Sequence, residues 1–279
     1  ANITYSVVAT TNWGCMDSTT IPVTVNTNTV ATSPDYQLCL GESTTMTANN
    51  GSTYQWSPNS GLSANTGATV TASPTTTTTY TLTATNSSGC SYSSPVTITV
   101  NPLPTVSITS NNGPICSGNT ATFNLSGTSG AVVTYNLNGG TNTTVTLTGG
   151  TASVSVTNAT TNQTFNLVSV NNPTTNCSQT LSGSSTVTVN PTSVAGTVSA
   201  DQTICSGAQP ANITLTGNTG TIQWQSSSDN VTFSNITGAT SSPLTSAQMG
   251  TLTATRYYRA VVTSGVCTSV NSAVVTVTV

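Results

Sequence analysis

Tyr80-Thr81-Leu82-Thr83-Ala84-Thr85, then Asn86-Ser87-Ser88-Gly89, Cys90, and finally Val96-Thr97-Ile98-Thr99-Val100-Asn101-Pro102: the reading of this stretch decides the fold. Apolar and polar residues alternate with period two, β-branched residues dominate, and a Gly-containing turn separates the halves, which predicts two strands joined by a tight turn. Versions of it recur at Tyr5-Ser6-Val7-Val8-Ala9 with Gly14-Cys15 and Val23-Thr24-Val25-Asn26. They recur again from Phe165 through Cys177 to Val187-Thr188-Val189-Asn190-Pro191, and from Tyr258 through Cys267 to Val274-Val275-Thr276-Val277. Four copies of one ending describe a repeat protein.

The cysteines measure the repeat. Second-position cysteines (Cys15, Cys90, Cys177, Cys267) stand 75, 87 and 90 residues apart, and first-position cysteines (Cys39, Cys116, Cys205) stand 77 and 89 apart. A unit of that length exceeds a solenoid repeat and suits a small independent β domain. The expected organisation is 1–27 as the C-terminal strands of a truncated repeat, followed by complete repeats at 28–102, 103–191 and 192–279. Asn101-Pro102 and Asn190-Pro191 punctuate the joints, and a residue before proline is driven into extended conformation, so short stiff linkers are expected. The absence of a secretory leader, with a first residue inside a repeat, reads as a fragment of something longer.

Within each repeat nearly everything reads as strand. In the first, Thr44 to Ala48 leads to an Asn49-Asn50-Gly51 turn, then Thr53-Tyr54-Gln55-Trp56, Ala68 to Ala72 and the Tyr80 strand. Turn signals every 8 to 12 residues between alternating runs predict an all-β fold of tandem β-sandwiches. Thr245 to Gly250 can form at most one helical turn. Tyr80, Leu82 and Ala84 share one face, as do Tyr258, Ala260 and Val262; that register points Tyr257 and Arg259 outward, whereas the other would bury an unpaired Arg259 at a cost of several kcal/mol.

Composition excludes whole classes of function. Only 3% of residues are charged, with two arginines, no lysine and no histidine, and the net charge is −3. Ordinary soluble domains carry roughly 25%. Binding to nucleic acid or to an acidic membrane surface needs Lys/Arg clusters, so no nucleic-acid partner is expected. Ser-His-Asp, Cys-His and Ser-Lys arrangements cannot be assembled without histidine or lysine, and Asp17, Asp35, Glu42, Asp201 and Asp229 are scattered, so the chain reads as non-enzymatic with no cofactor. No Asp-x-Asp-x-Asp-Gly calcium loop occurs; Asp35 and Glu42, flanking Cys39, are the one pair near enough in sequence to share an ion. No apolar run approaches the ~18 residues of a membrane span.

Seven cysteines without a Cys-x-x-Cys pair fit disulfides in an oxidising, extracellular compartment. Leu38-Cys39-Leu40-Gly41, Ile115-Cys116-Ser117-Gly118 and Ile204-Cys205-Ser206-Gly207 form one motif, and the natural pairing lies within each repeat: Cys39 with Cys90, Cys116 with Cys177, Cys205 with Cys267. Cys15 is then left unpaired. A second pairing stays open: if the first cysteine precedes the second strand and the second opens the last strand, the two stand at opposite poles. The bonds then bridge neighbouring repeats, for example Cys39 with Cys177.

Trp56, in Tyr-Gln-Trp, and Trp224, in Ile-Gln-Trp-Gln, occupy equivalent places; with Tyr80 and Tyr258 they are the expected core aromatics, and Val133-Thr134-Tyr135 fills the same place in the second repeat. Trp13, on a turn, is the aromatic best placed to stack on a sugar. The combination of Ile-Cys-Ser-Gly, a strand Trp, Thr-Tyr-Thr-Leu-Thr-Ala-Thr-Asn-Ser-Ser-Gly-Cys and a Val-Thr-Val-Asn-Pro ending resembles the immunoglobulin-like or PKD-like repeats of giant cell-surface adhesins of Bacteroidota, including gliding-motility adhesins exported by type IX secretion. The resemblance implies immunoglobulin-like sandwiches arranged end to end, with the tryptophans as buried rings. It further implies a secreted, cell-surface stalk holding an adhesive or motility-linked tip, whose partners are neighbouring repeats of the chain. Three such units would span on the order of 100 Å. Asp17-Ser18-Thr19 resembles the short O-glycosylation sequence of the same bacteria and marks Ser18 as a candidate acceptor. Alternative roles are a module binding surface polysaccharide and a subunit of an extracellular filament, in which 1–26 belong to a neighbour and Cys15 forms an intermolecular bond.

Overall fold

The computed structural model describes residues 2–25 and 30–279; the expected boundary at 27/28 and Asn26 lie outside them. The chain parts into two compact units, 1–104 with 172–178, and 105–171 with 179–279. Buried residues form three clusters: one within 46–98, one within 115–189 and one within 213–277.

In the first unit, β1 (Asn2–Thr10) and β2 (Met16–Thr24) form a two-stranded antiparallel sheet of their own. β3 (Ala31–Thr32), β5 (Thr44–Asn49) and β7 (Thr69–Ala72) form one layer of a sandwich; β4 (Tyr36–Cys39), β9 (Ser91–Asn101), β8 (Thr78–Thr85) and β6 (Thr53–Ser57) form the other. The period-two pattern sets the inward face of each strand. Met46 and Ala48 of β5, Val70 and Ala72 of β7, and Tyr80, Leu82 and Ala84 of β8 are all buried, with threonines between them turned outward. Each large apolar side chain so buried contributes about 1.5–3 kcal/mol. The Asn49-Asn50-Gly51 turn closes because Asn50 adopts φ +66°, a left-handed conformation that asparagine tolerates.

In the second unit, β10 (Val106–Asn111), β12 (Ala121–Gly127) and β15 (Thr151–Val156) form a three-stranded antiparallel sheet. Opposite it, β13 (Val132–Leu137) pairs with β14 (Thr143–Thr146) and β16 (Gln163–Asn172). β11 (Ile115–Cys116) runs parallel to a later strand; β17 (Cys177–Thr180), β18 (Ser184–Val187) and β19 (Val189–Asn190) follow, β18 pairing with β16 and β19 with β11. Beyond the Asn190-Pro191 joint come β20 (Thr197–Val198), β21 (Gln202–Thr203), β22 (Leu215–Thr216), β23 (Thr221–Ser227) and β24 (Ser234–Asn235). A single helical turn, α1 (Ser246–Met249), precedes β25 (Arg256–Thr263), β26 (Val270–Asn271) and β27 (Val275–Thr278). Thr245 and Gln248 close a reciprocal capping box on α1 and Gly250 ends it. Tyr258, Ala260 and Val262 face the core, and Arg259 lies outward, its guanidinium 4.0 Å from the Phe233 ring centroid and its Nε donating to Gln225.

One pairing recurs three times. A short early strand runs parallel to the end of the last strand: β4 with β9, β11 with β19, and β21 with β27. Cys39 and Cys116 end this early strand, and Cys205 stands two residues beyond it.

Candidate functional site: the cysteine-bearing strand ends

The parallel register fixes where the first cysteines sit. Cys39 lies opposite Asn101 and Cys116 opposite Asn190, each at the finish of the last strand. Gln202 and Thr203 lie opposite Val277 and Thr278, so Cys205 follows at the same end. The second cysteines sit on the hairpin at the other end: Cys90 directly before β9, Cys177 after β16, Cys267 after β25. β9 alone spans 11 residues, or roughly 36 Å at ~3.3 Å per residue. A disulfide needs Cα atoms about 5.5 Å apart.

The expected pairing within each repeat is therefore corrected. Cys39 is bonded to Cys177, with Cα atoms 5.5 Å apart, and Cys116 to Cys267, at 5.0 Å. The first cysteine of one repeat is joined to the second cysteine of the next, because each repeat carries its two cysteines on opposite ends. Neither Cys39 with Cys90, Cys116 with Cys177, nor Cys205 with Cys267 forms. Cys15 and Cys205 are exposed thiols, and Cys90 is exposed.

The second of these bonds sits in a built setting. Cys267 is 5% exposed, and its sulfur lies 3.2 Å from the Pro191 carbonyl oxygen. The Ser264 N–H donates to Ser193 Oγ at 2.9 Å, and the Val266 N–H to Asn190 Oδ1 at 3.4 Å. Val194 and Thr219 exchange backbone hydrogen bonds of 3.1 and 3.0 Å, tying the linker to the turn before β23. Gly265, at φ +51°, packs so closely on Asn190 that a Cβ would come within 2.3 Å of the amide group. These hydrogen bonds pair backbone donors with acceptors across the joint, which stiffens the linker.

Three of the acidic residues accept backbone N–H groups of these parallel-paired strands. The Asp35 carboxylate accepts the Thr97 N–H at 2.7 Å, while Glu42 accepts the Cys39 N–H at 2.8 Å. Asp201 repeats the device, accepting the Thr276 N–H at 2.8 Å. The sequence holds a signal for it, an aspartate four residues ahead of Cys39 and of Cys205, that the motif reading passed over. Asp229 accepts the Val231 and Thr232 N–H groups and the Ser227 hydroxyl, which holds its carboxyl far below the usual range. Among the described residues no three His, Cys, Asp or Glu side chains cluster as a metal site.

The aromatic residues divide between core and surface. Trp56 and Trp224 are buried, their indole N–H groups donating to Gly67 and Ser241 carbonyls at 3.1 and 2.9 Å. Tyr80 and Tyr258 are buried beside them, and burial raises both phenol pKa values. Trp13 stands on the β1–β2 turn, 94% exposed, and Ser18 lies on β2, also exposed.

Residues 26–102 match a family profile described as "Ig-like domain CHU_C associated", and residues 194–279 one described as "Domain of unknown function (DUF8696)". No curated protein matches the chain. Among solved structures, the chain is similar to the I-band fragment I67–I69 of titin, with TM-score 0.53 at 17% identity over 89% of this chain and 98% of that one. A Glu-to-Ala variant of the same three titin domains gives 0.52 at 17% identity with the same coverage. With the sheet pairings above, these likenesses establish an all-β chain of tandem immunoglobulin-like domains.

Proposed function

We propose that the chain is a load-bearing stalk segment of a large extracellular adhesin, in which disulfides link each repeat covalently to the next. The observation that carries the reading is the connectivity: 39–177 and 116–267 are overlapping loops that cross the repeat boundaries. A disulfide inside one domain stabilises that domain; one between domains preserves the link when either domain opens under load. The sequence supports the setting: disulfides require an oxidising compartment, and 3% charge leaves few salt-sensitive contacts. The resemblance to giant adhesins of Bacteroidota supports a surface stalk exported by type IX secretion and tied to gliding motility. Neighbouring repeats are its principal partners.

A second reading, a module binding surface polysaccharide, is favoured by Trp13, an indole almost wholly in solvent on a hairpin tip, where stacking on a sugar ring costs little. One experiment separates the two. A chymotryptic map under non-reducing conditions is expected to contain Cys39–Cys177 and Cys116–Cys267 peptides, and the chain is expected to show no saturable binding across a panel of purified polysaccharides. Saturable binding lost in Trp13→Ala sinks the passive stalk; reductant-sensitive polymers joined through Cys15 support the filament.

A further inference from the structure

The core-facing stripe of β25 reads Arg256, Tyr258, Ala260, Val262, so a guanidinium stands at the end of a line of buried side chains. Strand pairing identifies the same position in the other repeats. Arg256 lies opposite Val277, Gln163 opposite Val187 and Thr78 opposite Ile98. Ile98 and Val187 each stand three residues ahead of the Asn of an Asn-Pro joint. Ile98 and Val277 each face, in the parallel pairing, the residue three ahead of a first-position cysteine. In the first two repeats the side chain at this place is satisfied within its own repeat. Thr78 donates its hydroxyl to the Thr76 carbonyl at 2.8 Å; Gln163 donates to the Thr161 carbonyl at 2.8 Å and accepts from Asn138 at 2.9 Å. Two residues on, the Tyr80 hydroxyl donates to the Ser60 carbonyl at 2.7 Å, and Phe165 carries no polar atom to satisfy.

The third repeat differs at both positions. Arg259 is taken up by Gln225 and the Phe233 ring, Asp201 by the Thr276 N–H and Asp229 by its own turn. The Arg256 guanidinium has no hydrogen bond or carboxylate partner among the described residues, and the Tyr258 hydroxyl has no hydrogen bond among them either. Tyr258 is 2% exposed, yet the sealed unpaired polar atom among the described residues is Asn101 Nδ2, so the phenol oxygen meets solvent. It does so at an open cleft of about 340 Å³ that Arg256 and Tyr258 both line. Ile236, Met249 and Leu252 give the cleft an apolar side. Asn235 adds an amide whose oxygen is occupied by Gln225 at 2.9 Å, which leaves its N–H groups to donate. The cleft thus gathers a guanidinium, a phenol and an amide as donors, and no carboxylate lines it.

We propose that this cleft is a binding site for a free uronic acid, a hydroxylated ring that bears one carboxylate. Arg256 holds the carboxylate in the two-pronged geometry that a guanidinium favours. Tyr258 and Asn235 donate to the ligand's oxygens, and Met249 and Leu252 cover the C–H face of its ring. An inorganic anion would leave that apolar side bare. The volume lies at the low end of ligand pockets and takes one ring rather than a run of polymer. The assignment goes beyond the stalk reading and does not depend on it.

Titration of the isotope-labelled chain with sodium glucuronate at constant ionic strength, followed by amide NMR, tests it. Saturable shifts are expected at Asn235, Arg256 and Tyr258, with half-saturation on the order of 1 mM. Arg256→Gln, at an exposed position, is expected to weaken binding at least ~10-fold. Tyr258→Phe keeps the ring in the core and is expected to weaken it roughly 3–10-fold; Arg259→Gln leaves it unchanged. The spectra of the variants report folding in the same measurement. Absence of saturable shifts up to ~50 mM overturns the proposal, as does equal affinity for glucose or unaltered binding in Arg256→Gln. Acetate bound as tightly as glucuronate also overturns it, because the site would then hold a charge and not a sugar acid.

Discussion

Trp56 and Trp224 each fill the centre of one sandwich and each satisfies its indole N–H on a carbonyl, so neither ring can shrink without leaving both a cavity and an unpaired acceptor. Trp56→Ala is expected to cost about 3–5 kcal/mol. Its buried neighbours form a cluster confined to 46–98, so calorimetry is expected to move one transition and leave those carried by the 115–189 and 213–277 clusters in place. A uniform shift of all transitions would mean that the cores are coupled. The tryptophans were legible because a large aromatic on an alternating strand must face inward. The second repeat was less so: Tyr135 does occupy the equivalent place, but it is held by stacking on Phe165 at 4.6 Å, beside Phe123 at 5.3 Å from the same ring. Contacts between strands distant in sequence leave no periodic trace.

Strands were legible as elements and their partners less so. The alternation along β8 and β25 gives the buried face directly, whereas the parallel pairing of β4 with β9 depends on Asp35 and on a register that no local pattern encodes. That pairing is what places each first cysteine at the far end from its repeat's second one, so the disulfide partners followed the one feature that periodicity cannot see. The turn between β23 and β24 offers an element-scale test. Asp229 binds the turn's own N–H groups as a carboxylate, so its folded pKa lies below the unfolded value near 3.9. The turn's stabilisation is then fully present above about pH 5 and fades as pH falls through ~4 toward the depressed value. Melting temperature measured from pH 6 to pH 2 is expected to fall more steeply in the wild-type chain than in Asp229→Asn, which is less stable at neutral pH. Parallel curves would mean that the turn does not depend on the charge.

At the scale of the whole molecule, connectivity limits how far the chain can be drawn out. Fully unfolded and reduced, 279 residues reach ~950 Å at about 3.4 Å per residue. Oxidised, the shortest covalent path runs from 1 to 39, across to 177, back to 116, across to 267 and on to 279, roughly 110 residues or ~380 Å. The overlap makes the two bonds redundant. With Cys39→Ser the path runs through 116 and 267 and reaches ~430 Å; with Cys116→Ser it runs through 39 and 177 and reaches ~480 Å. Only the double variant is released to ~950 Å. Pulling the chain by its ends in a single-molecule force experiment is expected to show this non-additivity, with either bond alone holding most of the restraint. Bonds confined to single repeats would add their lengths independently, so additive increments would contradict the connectivity. A tether that survives the loss of either staple is what a stalk under intermittent load requires, and overlap between successive loops achieves it without any bond being stronger than an ordinary disulfide.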